Sequence, residues 1–225
     1  MDVKVLTVQE DILGANVELA KKNRALLDKH GILVVNIMSS PGAGKTSLIL
    51  QTINKLKAKV RIAVIEGDVA SRIDADKIQQ AGIPVVQINT AGGCHLDANM
   101  VEKALNSLPL DSIDLLLIEN VGNLICPAGF ALGEHKRVVL LSLPEGDDKP
   151  YKYPIMFTDA DVVLLNKIDL LPLLEFNIAS FSDAVRGLNS EAELFQVSAR
   201  TGQGLADFFS WLEAQLKDRQ SLRRS

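Results

Sequence analysis

The chain has 225 residues, 47% of them apolar, a length and composition that predict one main α/β domain with a substantial core. The formal net charge of −4 argues against the broad basic surface that nucleic-acid binding requires. The sequence has neither a bilayer-spanning apolar stretch nor a signal-peptide pattern at its start, so we expect a cytoplasmic protein without membrane association.

A helix is predicted first, over residues 9 to 30, because apolar side chains recur there at helical spacing and Gly31 provides a stop. Seven continuously apolar runs follow, which are typical of buried strands. These runs begin at Leu33, Arg61, Pro84, Asp114, Arg137, Asp161 and Glu193. Helix-like segments separate most of the runs: Thr46 to Lys57, Ile73 to Ala81, Met100 to Leu108 and Leu205 to Leu216.

This alternation predicts an α/β fold with a mostly parallel sheet of about seven strands, helices on both faces and a preceding N-terminal helix. Ligands of such folds bind at the carboxyl ends of the strands, so one functional edge is expected. The expected division is a helical extension over residues 1–30 and a P-loop nucleotide-binding domain over residues 31–225.

A phosphate-binding loop is indicated between Ser39 and Thr46, where SSPGAGKT follows a predicted strand and opens a helix. Its glycines let backbone N–H groups face phosphates, Lys45 can reach the β- and γ-phosphates, and Thr46 offers a hydroxyl to magnesium. Ser39 replaces the usual first glycine, so a Gly-rich turn with a chance lysine is the alternative. The predicted nucleotide contacts here are Gly42, Ala43, Gly44, Lys45, Thr46 and Ser47.

The tetrapeptide Asn166-Lys167-Ile168-Asp169 follows another apolar run and has the form of a guanine-reading element. The Asp169 carboxylate can accept hydrogen bonds from guanine N1–H and its amine, which adenine does not offer, while the Lys167 stem covers the base. Ser198 and Ala199, after the last run, complete the predicted pocket. A helix-capping loop is the alternative interpretation of the tetrapeptide taken alone.

Acidic residues close two strands, where hydrolysis of GTP needs carboxylates near magnesium. Glu66-Gly67-Asp68 ends the second run, and Glu119 ends the fourth, with Gly122 able to let the next loop move. Asp74 either orients water, contacts a neighbouring subunit or is a solvated surface residue. The expected catalytic residues are Lys45, Asp68, Asp74 and Glu119, and the expected magnesium ligands are Thr46, Asp68 and Glu119.

Both cysteines and one histidine fall near the same predicted edge, at Cys94, His95 and Cys126. Thiolate and imidazole suit zinc, nickel or copper(I), although a free cysteine is often only a small buried side chain. Three ligands are one short of a closed tetrahedral site, and a twofold dimer would supply more. Since Cys126 lies only seven residues after Glu119, nucleotide state and metal affinity are expected to be coupled.

These motifs together resemble the HypB family, hydrogenase nickel-incorporation GTPases related to the urease accessory GTPase UreG. The resemblance rests on SSPGAGKTS at 39–47, EGD at 66–68, CHLDANMV at 94–101, LLLIENVGNLICPAGFALGEH at 115–135 and NKID at 166–169. The family shares the serine at the Ser39 position. UreG-like proteins carry Cys-Pro-His, whereas Cys94 and His95 are adjacent here, which favours the hydrogenase branch.

The resemblance implies a GTP-dependent homodimer that binds nickel or zinc through Cys94, His95 and Cys126 at the subunit interface. It further implies delivery of nickel to the hydrogenase large-subunit precursor with a HypA-type zinc protein. The sequence shows neither the Cys-rich motif nor the His-rich tract of some relatives, so the interface site is expected to be the main metal site. A urease-type accessory GTPase and a P-loop small-molecule kinase are the alternative functions.

Overall fold

The computed structural model describes residues 8–68 and 72–224, and begins with a long helix, α1 (Val8–Lys29). The helix ends at Lys29, and Gly31 just beyond it has a φ of 65°, the left-handed conformation that terminates helices at low steric cost. This confirms the predicted N-terminal helix and its stop. Within the described residues, no helix combines the length and apolar character needed to cross a bilayer.

Seven strands form one sheet in which every neighbouring pair is parallel. Their bounds are β1 (Leu33–Ser39), β2 (Ile62–Asp68), β3 (Val85–Asn89), β4 (Leu115–Glu119), β5 (Lys136–Ser142), β6 (Val162–Asn166) and β7 (Glu193–Gln196). The spatial order is β3-β2-β4-β1-β5-β6-β7, so β1 lies at the centre. The predicted α/β fold is confirmed, and the sheet is parallel throughout.

The remaining helices are α2 (Lys45–Leu56), α3 (Ile73–Gln80), α4 (Ala98–Leu105), α5 (Lys149–Lys152), α6 (Pro154–Thr158), α7 (Ile178–Leu188) and α8 (Leu205–Arg224). One face of the sheet packs against α2, α3 and α8. The other face packs against α1 and α4 on one side and against α6 and α7 on the other. Both faces are therefore covered, which explains why the strand sequences are continuously apolar.

Some helix bounds differ from those expected. Helix α4 begins two residues earlier than predicted, because the Asp97 carboxylate accepts the backbone N–H of Met100 and caps it at 2.7 Å. Helix α8 continues past Leu216 to Arg224, and α5, α6 and α7 were not predicted. Because Leu27 of α1 packs in the same core as α4, the N-terminal helix is integrated into the fold. The boundary between a helical extension over residues 1–30 and a domain over residues 31–225 stays a prediction.

Candidate nucleotide and metal site

The loop between β1 and α2 has the backbone of a phosphate cradle. Gly44 adopts φ 108° before α2 begins at Lys45, a conformation that strains any residue with a side chain. The Lys45 ammonium donates to Ser39 Oγ at 3.0 Å, and burial lowers its pKa. Ser39, the residue that replaces the usual glycine, thus anchors Lys45, the lysine predicted to bind phosphate.

Asn166 joins the phosphate loop to the base side of the site. Its Nδ2 donates to Ala43 O at 2.8 Å, and its Oδ1 accepts the N–H of Ala199 at 2.9 Å. A Cβ atom on Gly44 would lie 2.5 Å from Asn166 Nδ2, so only glycine permits this approach. Lys167, with φ 63°, donates from Nζ to Gly42 O at 2.7 Å. Two residues of the tetrapeptide therefore touch the phosphate loop directly.

Asp169, the last residue of the tetrapeptide, offers a hydrogen-bond acceptor. Its Oδ1 is buried and has no hydrogen-bond partner within the described part of the chain. A buried acceptor without a donor is unfavourable, and guanine would supply two donors. The N–H groups of Ser198 and Ala199 are already used, by Gln203 O and by Asn166, so they shape the loop around the tetrapeptide.

Carboxylates collect where β2 and β4 end. Thr46 Oγ1 donates to Glu119 Oε1 at 2.8 Å, while Glu119 Oε2 is buried without a hydrogen bond among the described residues. Burial raises the pKa of Glu119 to about 7. Glu66, opposite Glu119 in the strand register, has a pKa raised to about 8 by burial and then by the Glu119 charge. Glu66 belongs to the Glu66-Gly67-Asp68 motif at this strand end, and no role was predicted for it.

The other predicted acidic residues lie on either side of the undescribed residues 69–71. Asp68 is the last residue of β2, and Asp74 is in the first turn of α3. The Asp74 carboxylate accepts from Lys77 Nζ at 2.8 Å, while its charge acts on both Lys45 and Glu119. Asp74 thus has a surface ion pair as well as an electrostatic influence on the phosphate site.

Cys94, His95 and Cys126 come together, as the sequence predicted. Their potential ligand atoms all lie within 4.8 Å of one another, and Cys94 Sγ is 3.5 Å from His95 Nδ1. Cys94 is exposed, so the cluster is open to solvent or to a further ligand. The His95 ring stacks on Phe130 with centroids 3.8 Å apart. Two soft sulfurs and an imidazole suit nickel or zinc.

One short segment contacts both parts of the site. After β4, Gly122 packs so closely on the phosphate loop that a Cβ atom there would lie 3.0 Å from the Pro41 backbone. Asn123 donates its N–H to Ser39 O at 2.7 Å, and Cys126 follows three residues later. The segment that begins at Glu119 therefore runs along the phosphate loop and ends in the cysteine cluster.

Comparison with known proteins agrees with these features. A family model described as CobW/HypB/UreG, nucleotide-binding domain, matches residues 33–196. The chain is 48% identical over 212 residues to hydrogenase maturation factor HypB of Escherichia coli strain K12, covering 94% of this chain and 73% of that protein. It is 45% identical over 216 residues to a probable HypB of Methanocaldococcus jannaschii, covering 96% and 98%. The crystal structure of HypB from Helicobacter pylori in complex with nickel matches with a TM-score of 0.86 and 38% identity, covering 91% of this chain and 96% of that one.

Proposed function

Because this chain belongs to the CobW/HypB/UreG family, we propose that it is a GTP-hydrolysing metallochaperone that delivers nickel during hydrogenase maturation. The observation that carries the proposal is the single segment from Glu119 to Cys126, which reaches the phosphate loop at one end and the cysteine cluster at the other. Binding and hydrolysis of the nucleotide would thereby control the metal site.

Guanine is the base that the pocket fits best. The unpaired, buried Asp169 Oδ1 needs donors, and guanine N1–H and its amine would provide them. Asn166 holds the predicted guanine-reading tetrapeptide against the phosphate loop, and the Lys167 side chain extends to the Gly42 carbonyl of the same loop. An adenine in this place would leave the carboxylate unpaired, a penalty of about 1–3 kcal/mol for one buried polar group and more for a charged one.

The phosphate half of the site places charge where phosphate oxygens would lie. Lys45 and the N-terminus of α2 would face the β- and γ-phosphates of a bound nucleotide. Thr46, Asp68 and Glu119 would hold magnesium, whose oxygen preference fits the hydroxyl and the buried, unpaired Glu119 Oε2. When bound, magnesium neutralises charge on the phosphate oxygens. Asp74 is our candidate for orienting the attacking water.

Nickel, or zinc in its place, would bind as cargo at Cys94, His95 and Cys126. The exposure of Cys94 leaves one side of the cluster open, and a second copy of the chain would complete the coordination across a twofold axis. We propose that the dimer forms with GTP bound and passes nickel to the hydrogenase large-subunit precursor together with a HypA-type accessory protein.

The decisive experiment titrates nickel and zinc into nucleotide-free, GDP-bound and GTP-bound protein while light scattering follows the mass in solution. We expect nucleotide to change both the metal affinity and the balance of monomer and dimer. If GTP alters neither quantity, the proposed coupling of hydrolysis to metal delivery is wrong. ATP in place of GTP serves as the matched nucleotide control and should have no effect.

A further inference from the structure

Asn120 lies at the junction between the nucleotide and metal halves of the site, and its side chain is completely buried. It follows Glu119 directly. Its Oδ1 accepts two backbone N–H groups, that of Val121 at 2.9 Å and that of Leu96 at 3.2 Å. Leu96 is the residue after His95. One amide oxygen therefore ties the segment beside the phosphate loop to the segment that carries two metal ligands.

The Nδ2 end of the Asn120 amide extends the connection to the segment that follows Cys126. Asn120 Nδ2 donates to Asn36 Oδ1 at 3.2 Å, and Asn36 Nδ2 donates to Glu134 Oε1 at 3.4 Å. Glu134 Oε2 accepts the N–H of Leu132 at 2.7 Å. Leu132 lies two residues beyond Phe130, on which the His95 ring stacks. The chain of polar side chains thus connects the end of β4 to the segment that follows Cys126.

Leu96 also couples to the strand that carries the acidic residues. A Cβ atom on Gly67 would lie 2.8 Å from the Leu96 side chain, so β2 and the residue after His95 are in direct contact. Because Leu96 is fully buried, its backbone has little freedom to move independently of Asn120 and β2. A displacement of the β4 end would therefore be passed to His95 rather than absorbed between them.

We propose that Asn120 is the positioning residue that transmits nucleotide state to the metal ligands. A change in the segment after Glu119 on binding GTP alters the position of Asn120 Oδ1, which moves the Leu96 amide and with it Cys94 and His95. This inference rests on the proposed function, since it explains how the same segment controls metal affinity. Asn suits the role because one side chain both accepts and donates without bringing a charge into the core.

A second pair of asparagines provides a matched control. Asn16 of α1 donates to Ala131 O and accepts from Ala98 N, both at 2.8 Å. Asn23 donates to Ala98 O at 2.8 Å and to Leu132 O at 3.1 Å. These two side chains of α1 bind both the segment after His95, at Ala98, and the segment after Cys126, at Ala131 and Leu132. Asn16→Ala should therefore weaken metal binding by the same factor in every nucleotide state.

The test measures the nickel affinity of the wild-type chain, of Asn120→Ala and of Asn16→Ala, each with GDP and with a non-hydrolysable GTP analogue. Allosteric coupling usually corresponds to about a 5–150-fold change in affinity. We expect Asn120→Ala to reduce the ratio of the two affinities to about 1, and Asn16→Ala to keep the wild-type ratio. A wild-type ratio in Asn120→Ala would overturn the inference. A ratio of about 1 in the wild type itself would instead refute the proposed function.

Asn120→Ala removes a buried network and can lose stability, so a wild-type measurement accompanies it. Nitrogen-15 NMR follows the Leu96 and Val121 amides as GDP is replaced by the GTP analogue. We expect both resonances to shift together and both amide exchange rates to change. A shift of Val121 with no change at Leu96 contradicts transmission through Asn120, whatever the variant does.

Discussion

Glu66 and Glu119 are paired in register on the adjacent parallel strands β2 and β4. Both are almost fully buried, and one carboxylate oxygen of each has no hydrogen bond within the described ranges 8–68 and 72–224. Burial raises the pKa of both carboxyl groups, and the neighbouring Glu119 charge raises the pKa of Glu66 further. The Lys45 charge offsets part of this cost, and a bound divalent cation would offset more of it.

Replacement of Glu66 by Gln should stabilise the protein in the absence of nucleotide and magnesium. The folded-state pKa of Glu66 is about 8 instead of 4.5, so the folded protein binds more protons, and its unfolding free energy falls as pH rises from about 4.5 to about 8. Glu66→Gln removes this loss. Urea unfolding at pH 6 and pH 8.5 should show a larger gain at the higher pH. The exposed Glu193→Gln is the control, and an equal gain at both pH values would contradict the assignment.

Asp169→Asn should shift nucleotide preference from GTP toward xanthosine triphosphate. The amide replaces a buried acceptor by a group that donates, which suits the carbonyl of xanthine and not the amine of guanine. A loss of GTP affinity by at least 10-fold is expected, which is about 1.4 kcal/mol. Competition binding with GTP, xanthosine triphosphate and ATP measures it. Unchanged preference would show that Asp169 does not read the base.

Cys94→Ala should lose metal affinity while GTP affinity stays near the wild-type value. The cluster would keep only one sulfur and one imidazole, too few for tight binding of zinc or nickel. Metal titration with a chromophoric chelator and separate GTP titration measure the two properties. His30→Ala is the control, because His30 pairs with Asp111 outside the cluster. Full metal affinity in Cys94→Ala would place the metal site elsewhere.

His135 should make the protein sensitive to mild acid. Its Nδ1 accepts the N–H of Val34 at 3.0 Å, so its Nε2–H donates to Asp28 at 2.9 Å and the ring is neutral. Burial lowers the pKa of His135 to about 4. The unfolded chain takes up a proton first, so the unfolding free energy falls as pH drops from about 6.5 to about 4, by up to about 3 kcal/mol.

In urea unfolding at pH 7.5 and pH 5, His135→Gln should therefore lose less stability on acidification than the wild type does. His30→Gln is the control for replacing a histidine, since His30 is hydrogen-bonded to an exposed aspartate. If His135→Gln and the wild type lose the same amount between the two pH values, burial of a neutral His135 does not contribute to the acid sensitivity.

Local sequence patterns predicted most of the fold. The seven apolar runs all became strands, because a strand covered on both faces must be apolar along its whole length. The predicted helix ends were less accurate, since the predicted start at Met100 lies two residues after Ala98, where α4 begins behind its cap Asp97. Helix α7 was not predicted: its serines and Gly187 have low intrinsic helix propensity, and packing of Phe181 and Val185 in the core stabilises it.

The residue types and order of the motifs were sufficient to predict a phosphate loop, a guanine-reading element and a soft-metal cluster at one edge of a parallel sheet. Parallel strands all end at the same edge, so residues that follow them must gather there. The sequence alone therefore determined which side chains gather at this edge, and Cys94, His95 and Cys126 are grouped as predicted.

Only the tertiary structure decided how the parts are connected. The lateral order β2-β4-β1 places Glu66 beside Glu119, and Asn120 accepts from Leu96 although the two are 24 residues apart. Such contacts depend on strand order and register, which are set by packing of the whole sheet and leave no local signal in the residues concerned. The residue types of the site and the short connection from Glu119 to Cys126 could thus be read from the chain, and the hydrogen bond from the Leu96 amide to Asn120 could not.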